Sequence, residues 1–379
     1  MNILINALGI KDSGGIRVFE KMLKECTYSK KNKYIVICNK SENIEQLYNK
    51  YNSLNKFEFM ILPAKGFINR LYFENIHFRK IIKAENIDLI YNFSGTTQLF
   101  LKIPQLLKIQ NLLFYTKKLN SIYMEKGMFL LWVKQIYLKQ IIFNFMSNRS
   151  SYMEVQSKHV EKYMSDFINI ENKTFFLKSD ISVEENKFAE PKKYNNRQKI
   201  KFLYIVGPHF EYVHKNFVDF TNAMIEFQKL NKDFEINITL TKTQLINSDI
   251  WDVSLNDKTN FLGYISDDKE MDSLFCDNTI LISTSVIETL GLHVVEAIKK
   301  GIIPIVPSEK YSYSVYGENI LTYKLFDAKS LLNSILSIIN NKIDSRKYIE
   351  VLQNDLKTSE NSKYSNIVDI FQKVIDVQK

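Results

Sequence analysis

Residues 282–308 read ISTSVIETLGLHVVEAIKKGIIPIVPS and hold a strand end, a loop, a helix and a second strand in one short stretch. The apolar run stops at Ser283, Glu288 stands in the loop, Gly291 opens the helix and Glu296 lies early in it. Gly301 closes the helix as a C-terminal cap, and 303–306 is the next strand. The first helical N–H groups, from Thr289 and Leu290 to Gly291 and Leu292, are not used inside the helix. They stand at the positive end of its dipole and suit a diphosphate or sugar oxygens. Glu288 and Glu296 are eight positions apart, which on one continuous helix would turn them about 80° from each other. With Glu288 ahead of the helix, both carboxylates can face one ligand from different heights. Carboxylates accept pairs of hydroxyl protons, as vicinal diols offer. A solvated helix with two surface glutamates would use the same residues, so the surroundings have to decide.

Working back from this stretch, 202–206 starts an α/β series with a glycine turn at Gly207. Further strands are expected at 235–240, 259–261 and 280–283. Before it, 183–199 lapses into polar, charged sequence (EENKFAEPKKYNNRQK within it), a linker by composition. The first half repeats the pattern. Strands are expected at 3–7, 34–38, 56–62, 87–91, 108–110 and 152–156, and a polar loop carries Gly14 and Gly15 ahead of a helix from about Arg17 to Cys26. Strands alternating with helices imply mostly parallel sheets. The chain is therefore expected to be α/β, with two Rossmann-like domains, 1–182 and 200–360, and a ligand cleft between them. An amphipathic helix at 364–377, within a terminal segment 361–379, is expected to pack back on the first domain.

The 379 residues suit two such cores, with 45% hydrophobic and 25% charged residues, the balance of a soluble globular protein. The start, MNILINALGI, reads as a buried strand rather than a secretory leader. The greasiest stretch, 128–146, is broken by Lys134, Gln135, Lys139, Gln140 and Asn144, too often to span a bilayer. Cys26, Cys38 and Cys276 are widely spaced, offer no metal-ligand pattern and fit a reducing compartment, so a cytoplasmic location is expected. The net charge of +9 points to a polyanionic partner, or merely to Lys- and Asn-rich coding bias. No nucleic-acid-binding signature is present, and no nucleic acid is expected as a partner.

The spacing Ser285, Glu288, Gly291, Glu296, Ala297, Gly301 and, one residue late, Pro304 resembles the pattern S-x-x-E-x-x-G-x-x-x-x-E-A-x-x-x-G-x-P of the retaining GT-B glycosyltransferases called family 4, or group 1. The resemblance implies two Rossmann-like domains facing across a cleft, an acceptor domain first and a nucleotide-sugar domain second. It implies that Glu288 contacts the transferred sugar, Glu296 the ribose hydroxyls, and the amides around Gly291 and Leu292 the donor. FLYIVGPHFEYVHKN (202–216) is similar to the family's strand, glycine turn and Lys-Asn pair. This implies Lys215 on the diphosphate, beside Gly207 and Asn216. NFLGY (260–264) resembles its turn before the base pocket, with Gly263 as the glycine, and SGGIRVFEKML its N-terminal glycine loop, with Gly14 and Gly15 near the donor phosphates. Glu288 and Lys215 are the expected catalytic pair.

Two departures stand out. Many members carry Arg after the glycine turn, whereas here Gly207 is followed by Pro208 and His209, leaving His209, His214 or Arg17 as substitutes. Where many members have a first-domain His, IPQLLKIQNLLFY offers Asn111, which can hydrogen-bond but cannot shuttle protons. The remaining histidines, His77, His159 and His293, read as structural, with His293 able to line the pocket. The resemblance implies a UDP- or GDP-sugar donor, no metal, and front-face displacement in which the diphosphate leaves as the acceptor hydroxyl attacks. Residues 67–83 and 117–139 mix aromatic, aliphatic and basic side chains. They fit either a core helix with a basic outer face or an anionic membrane surface, and the latter would suit a lipid-linked acceptor in bacterial surface polysaccharide synthesis. The alternatives are a GT-B-shaped scaffold that has lost turnover and a nucleotide-sugar epimerase of the same shape.

Overall fold

The computed structural model describes the chain except residues 11, 12, 64, 65, 179, 181–187, 196, 231, 232, 266, 360–363 and 379. The chain forms two compact units, Met1–Val183 with Ser362–Lys379, and Glu184–Asn361. In the first unit, strands β1 (Asn2–Ala7), β2 (Lys33–Asn39), β3 (Phe57–Leu62), β4 (Leu89–Asn92), β5 (Gln105–Ile109), β6 (Tyr152–Val155) and β7 (Thr174–Leu177) form one sheet in the order β3-β2-β1-β4-β5-β6-β7. In the second, β8 (Ile200–Tyr204), β9 (Phe234–Ile238), β10 (Thr259–Phe261), β11 (Thr279–Ile282), β12 (Ile303–Pro307) and β13 (Thr322–Tyr323) run in the order β10-β9-β8-β11-β12-β13. The pairings are parallel throughout. Central strands such as KYIVICN and TILI are buried along nearly their whole length, as strands covered by helices on both faces must be.

The helices that bear on function are α1 (Ser13–Cys26), α2 (Phe67–Ala84), α3 (Leu138–Asn148), α4 (Phe217–Leu230), α5 (Leu292–Lys299) and α6 (Ile367–Gln378). Helix α1 begins at Ser13, so Gly14 and Gly15 form its first turn rather than a loop before Arg17. The first turn has no preceding carbonyls to bond, so glycine weakens it little there. Strands β7 and β13, short and at the sheet edges, had no counterpart among the expected strands. Much of the stretch read as a linker is bound to the second unit. Ala189 N donates to Lys299 O (2.7 Å), Lys192 N to Gly301 O (2.8 Å) and Asn195 N to Asn278 Oδ1 (2.7 Å). Its polar composition reflects an edge segment held by backbone bonds, not a free tether. Gly301 is required at that contact. Its φ is +81°, and a Cβ would lie 2.4 Å from Glu190 O.

Glu25 of α1 ties together the two places where the chain leaves and re-enters the first unit. Its carboxylate accepts from Lys178 Nζ (2.9 Å) and from the backbone N of Ile367 (2.8 Å), the start of α6, and all of these groups are buried. Phe371 of α6 packs edge-on against Tyr91 of β4, with ring centres 5.2 Å apart. Glu25→Ala should cost about 3 kcal/mol of first-unit stability in urea unfolding, because it strands a buried ammonium and an amide together. A loss under about 0.5 kcal/mol, the level of an ordinary surface change, would show that the clamp contributes nothing.

Candidate active site

In the second unit, the loops carrying the expected residues leave the C-terminal ends of parallel strands, where ligands bind in open α/β sheets. Two of these loops are joined side by side. Val286 N donates to His214 O (2.8 Å), and Thr284 Oγ1 donates to Lys215 O (2.7 Å) while bonded to the Tyr204 hydroxyl (2.6 Å). The Tyr311 hydroxyl donates to Ser285 O (2.6 Å) from behind. The join leaves Lys215 Nζ 2.9 Å from Glu288 Oε1 and 3.5 Å from Ser285 Oγ. Asn216 turns the chain into α4 in the left-handed region (φ +47°), which Asn tolerates, and its amide donates to Asp219 Oδ2 (2.6 Å).

Burial works against the charged form of Glu288. The Lys215 ammonium, aided by His293 and Ser285, outweighs it and holds the carboxyl at about 2. Burial instead lowers His293 to about 4 despite the opposing pull of Glu288, and its Nε2 lies 3.0 Å from Ser283 Oγ. At neutral pH the imidazole is therefore neutral, and Lys215 balances the carboxylate. His214, buried beneath the loop, is lowered to about 3, first by burial and then by Lys215. A neutral His214 supplies no cation, so it does not replace the missing arginine; its carbonyl holds the motif loop instead.

Helix α5 starts where the sequence places it. Gly291 is its N-cap at φ +57°, Val294 N bonds Gly291 O (2.9 Å), and the N–H groups of Leu292 and His293 belong to the first turn. A Cβ on Gly291 would lie 2.0 Å from the hydroxyl of buried Tyr316, so no other residue fits here. Thr289 and Leu290 are buried, whereas Glu288 and Glu296 are half-buried, Glu296 in the second turn of α5. Gly207 lies in the turn after β8, where Thr239 Oγ1 bonds both N and O of Val206 (2.8 and 2.9 Å). Gly263 follows β10 at φ +67°, against Thr241.

Other candidates have local duties. Asn111 is exposed and accepts from Leu113 N (2.8 Å), closing its own turn. His77 stacks on Phe73 at 4.0 Å, and His159 bonds Ser157. Asp267 and Asp268, adjacent acids that could be taken for a metal pair, serve the helix Asp268–Ser273: Asp267 caps it by accepting from Lys269 N, and Asp268 lies in its first turn. The tyrosines behind the motif, Tyr311 and Tyr316, were missed. Their only sequence signal is the aromatic run YSYSVY, which reads equally as core.

The two parallel-sheet units have the GT-B fold. Residues 186–354, within the second unit, match the family described as Glycosyl transferases group 1. Solved structures share the fold over nearly the whole chain. Sucrose-phosphate synthase from Thermosynechococcus elongatus has a TM-score of 0.73 at 13% identity, covering 99% of each chain. WaaG, a glycosyltransferase involved in lipopolysaccharide biosynthesis, has a TM-score of 0.62 at 11% identity, covering 100% of this chain and 99% of that one. A mutant of S. aureus TarM in complex with Fondaparinux, alpha-GlcNAc-glycerol and UDP has a TM-score of 0.66 at 9% identity, covering 99% of each chain. No curated protein matches the chain significantly.

The two depressed histidines make stability depend on pH. Unfolded, each takes a proton near its ordinary value of 6.5; folded, His293 does so only near 4. The unfolded state thus binds more protons in that window, and stability falls as pH drops from 6.5 towards 4. His293→Gln, which retains a partner for Ser283, should flatten this dependence of the thermal midpoint. Equal slopes for variant and parent would contradict the assignment.

Proposed function

We propose that the chain is a retaining glycosyltransferase that moves a hexose-type sugar from a UDP- or GDP-sugar to a hydroxyl of a lipid-linked glycan, in the synthesis of a bacterial surface polysaccharide such as O-antigen or capsule. The observation that carries this reading is the 2.9 Å pair of Lys215 and Glu288 beside the Gly291 helix start. An ammonium, helix-start amides and a carboxylate within one small loop system are what a sugar diphosphate needs. Lys215 and the helix tip meet the charge that builds on the leaving diphosphate, so no metal is called for by this reading. Glu288, kept ionised, accepts protons from hydroxyls of the transferred sugar, and Glu296 those of the ribose. The bond from the anomeric carbon to the diphosphate oxygen breaks as the acceptor oxygen bonds to the same face. The acceptor's proton passes to the leaving phosphate. The protein's part is orientation and charge placement. On this reading Gly14 and Gly15, in the first turn of α1, offer amides to the phosphates, and Gly207 and Gly263 leave room for the nucleotide. A scaffold without turnover would have no need for a matched ion pair at this position.

The lipid-linked acceptor is supported by the surface of the first unit. In α3, Leu138, Ile141 and Phe145 recur at helical spacing on the exposed side, where a helix in water carries polar residues. Leu130 just before it is 81% exposed, and on α2 Ile68 is 80% and Tyr72 59% exposed. Phe67 of α2 stacks on Phe143 of α3 (5.8 Å), so the two helices are neighbours. Segment 117–149 carries six lysines or arginines against Glu125 alone, and exposed apolar side chains with basic neighbours suit anionic lipid head groups. No helix among the described residues is long and apolar enough to cross a membrane, so the association would be peripheral.

Thermal shift against UDP-, GDP- and dTDP-sugars identifies the donor. With it, Glu288→Ala should keep nucleotide binding and lose transfer by at least about a hundredfold, while Glu296→Ala should weaken nucleotide binding. Parental transfer rates in both variants would remove the assigned roles. For the membrane, the chain should sediment with vesicles containing phosphatidylglycerol at low salt and not with neutral vesicles. The double variant Leu130→Ser, Ile141→Ser should stay in solution. Equal sedimentation with neutral vesicles, or none with either, would sink the lipid reading.

A further inference from the structure

The order β3-β2-β1-β4-β5-β6-β7 puts the topological switch point of the first sheet between β1 and β4, the position where open α/β sheets take ligands. The chain segments leaving these two strands are bonded together. Gly9 N donates to Ser94 Oγ (2.8 Å) and Ser94 N to Asn6 O (3.1 Å). Into this point reaches Arg70 from α2, only 8% exposed. Its Nε donates to Glu74 Oε1 (2.7 Å), and its Nη2 to Ser94 O (3.0 Å) and to Thr96 Oγ1. Glu74, wholly buried, is filled by Arg70, Thr96 and Asn6. Nη1 makes no hydrogen bond among the described residues. It lies against Gly9, where a Cβ would come within 2.2 Å of it. Gly9 has no left-handed φ to account for it. What it provides is room for the guanidinium.

A buried guanidinium is costly, and native structures normally satisfy each of its donors. Here Nε and Nη2 are spent on fixing the group, and Nη1, which solvent reaches, is left with two N–H bonds at the ligand-binding end of the sheet. We infer that Arg70 Nη1 is a substrate anchor in the first unit, donating to an oxygen of the sugar acceptor. This rests on the glycosyl-transfer reading for the identity of the ligand, not for the existence of the subsite. Because Nη2 is already engaged, the usual two-pronged grip on a carboxylate or phosphate is closed, and Glu74 offsets the positive charge. The remaining chemistry is donation to a single oxygen, whether a sugar hydroxyl or a phosphate on the acceptor sugar.

The test uses saturation-transfer NMR on the full chain with two sets of probes: methyl glycosides of glucose, galactose and N-acetylglucosamine, and the 1-phosphates of the same sugars. At least one probe should bind the parent protein. Arg70→Lys, which keeps a cation beside Glu74, should weaken it by about tenfold or more, the worth of one hydrogen bond from a charged donor. Gly9→Ala, which leaves Arg70 in the sequence but displaces its guanidinium, should do the same. UDP and GDP binding, measured in parallel, should be unchanged in both variants. Stronger response from the 1-phosphates assigns a phosphate oxygen, and a similar response from both sets a hydroxyl. If no probe binds the parent, or both variants bind as the parent does, the anchor is wrong. Loss of nucleotide binding by the parent would instead count against the glycosyl-transfer reading and leave this subsite standing.

Discussion

The loops that follow β8 and β11 are joined before either reaches the site. The Val286–His214 and Thr284–Lys215 hydrogen bonds, with Tyr204 and Tyr311 behind them, fix the two backbones in register, and this sets the 2.9 Å separation of Lys215 and Glu288. A flexible four-carbon lysine side chain loses much rotamer entropy when it holds one position. It can do so here because its backbone is fixed and its partner carboxylate is half-buried. Burial raises the cost of an unpaired Glu288, so the pair is stronger than an exposed one, and the Glu288 carboxyl stays ionised across the physiological range. The ionised state of Glu288 thus follows from loop packing.

The first unit places charge in its interior by the same means, with a different result. Lys108, on β5 and almost wholly buried, is shared between Glu154 (2.6 Å) and Asp180 (2.8 Å), while Tyr91 donates to Glu154 and Gln156 to Asp180. The two acids hold Lys108 above the ordinary lysine range against the desolvation that would lower it. Lys178 and Glu25 form a second buried pair a short way along the chain. Apolar residues of equal volume would serve stability as well or better. What the charges add is uniqueness: each accepts only partners of one sign and geometry, so β5, β6, the segment after β7, α1 and α6 meet in one arrangement.

Most of this fold was legible in the sequence because parallel sheets advertise themselves. Buried strands such as TILI and KYIVICN are continuous apolar runs, and the helices between them keep a 3.6-residue period. The motif loop was legible for a stronger reason: Gly291 and Gly301 both sit at positive φ with no room for a Cβ, so spacing in the sequence is a direct image of geometry. What escaped was held by partners distant in sequence. Thr174–Leu177 and Thr322–Tyr323 are too short to carry a pattern, and become strands only because a neighbour offers its edge. The polar segment 189–195 looked like a tether because its anchors are backbone groups of Lys299 and Gly301 and the amide of Asn278, which leave no mark on its own side chains.

Arg70 shows the same limit most sharply. Read along α2, Arg70 and Glu74 are an ordinary i,i+4 pair on a basic amphipathic helix, and such pairs are nearly always solvated. Nothing local reveals that both are buried. The only trace is Gly9, a glycine whose turn after β1 does not need a left-handed φ, more than sixty positions away. A glycine required by close approach records the size of whatever approaches it, and here that is a guanidinium. The two units therefore solve one problem in two ways. In the second, a cation is held by a neighbouring carboxylate on a paired loop. In the first, a cation is held by three fixed acceptors, and the nitrogen they leave over marks where the sheet has capacity for another oxygen.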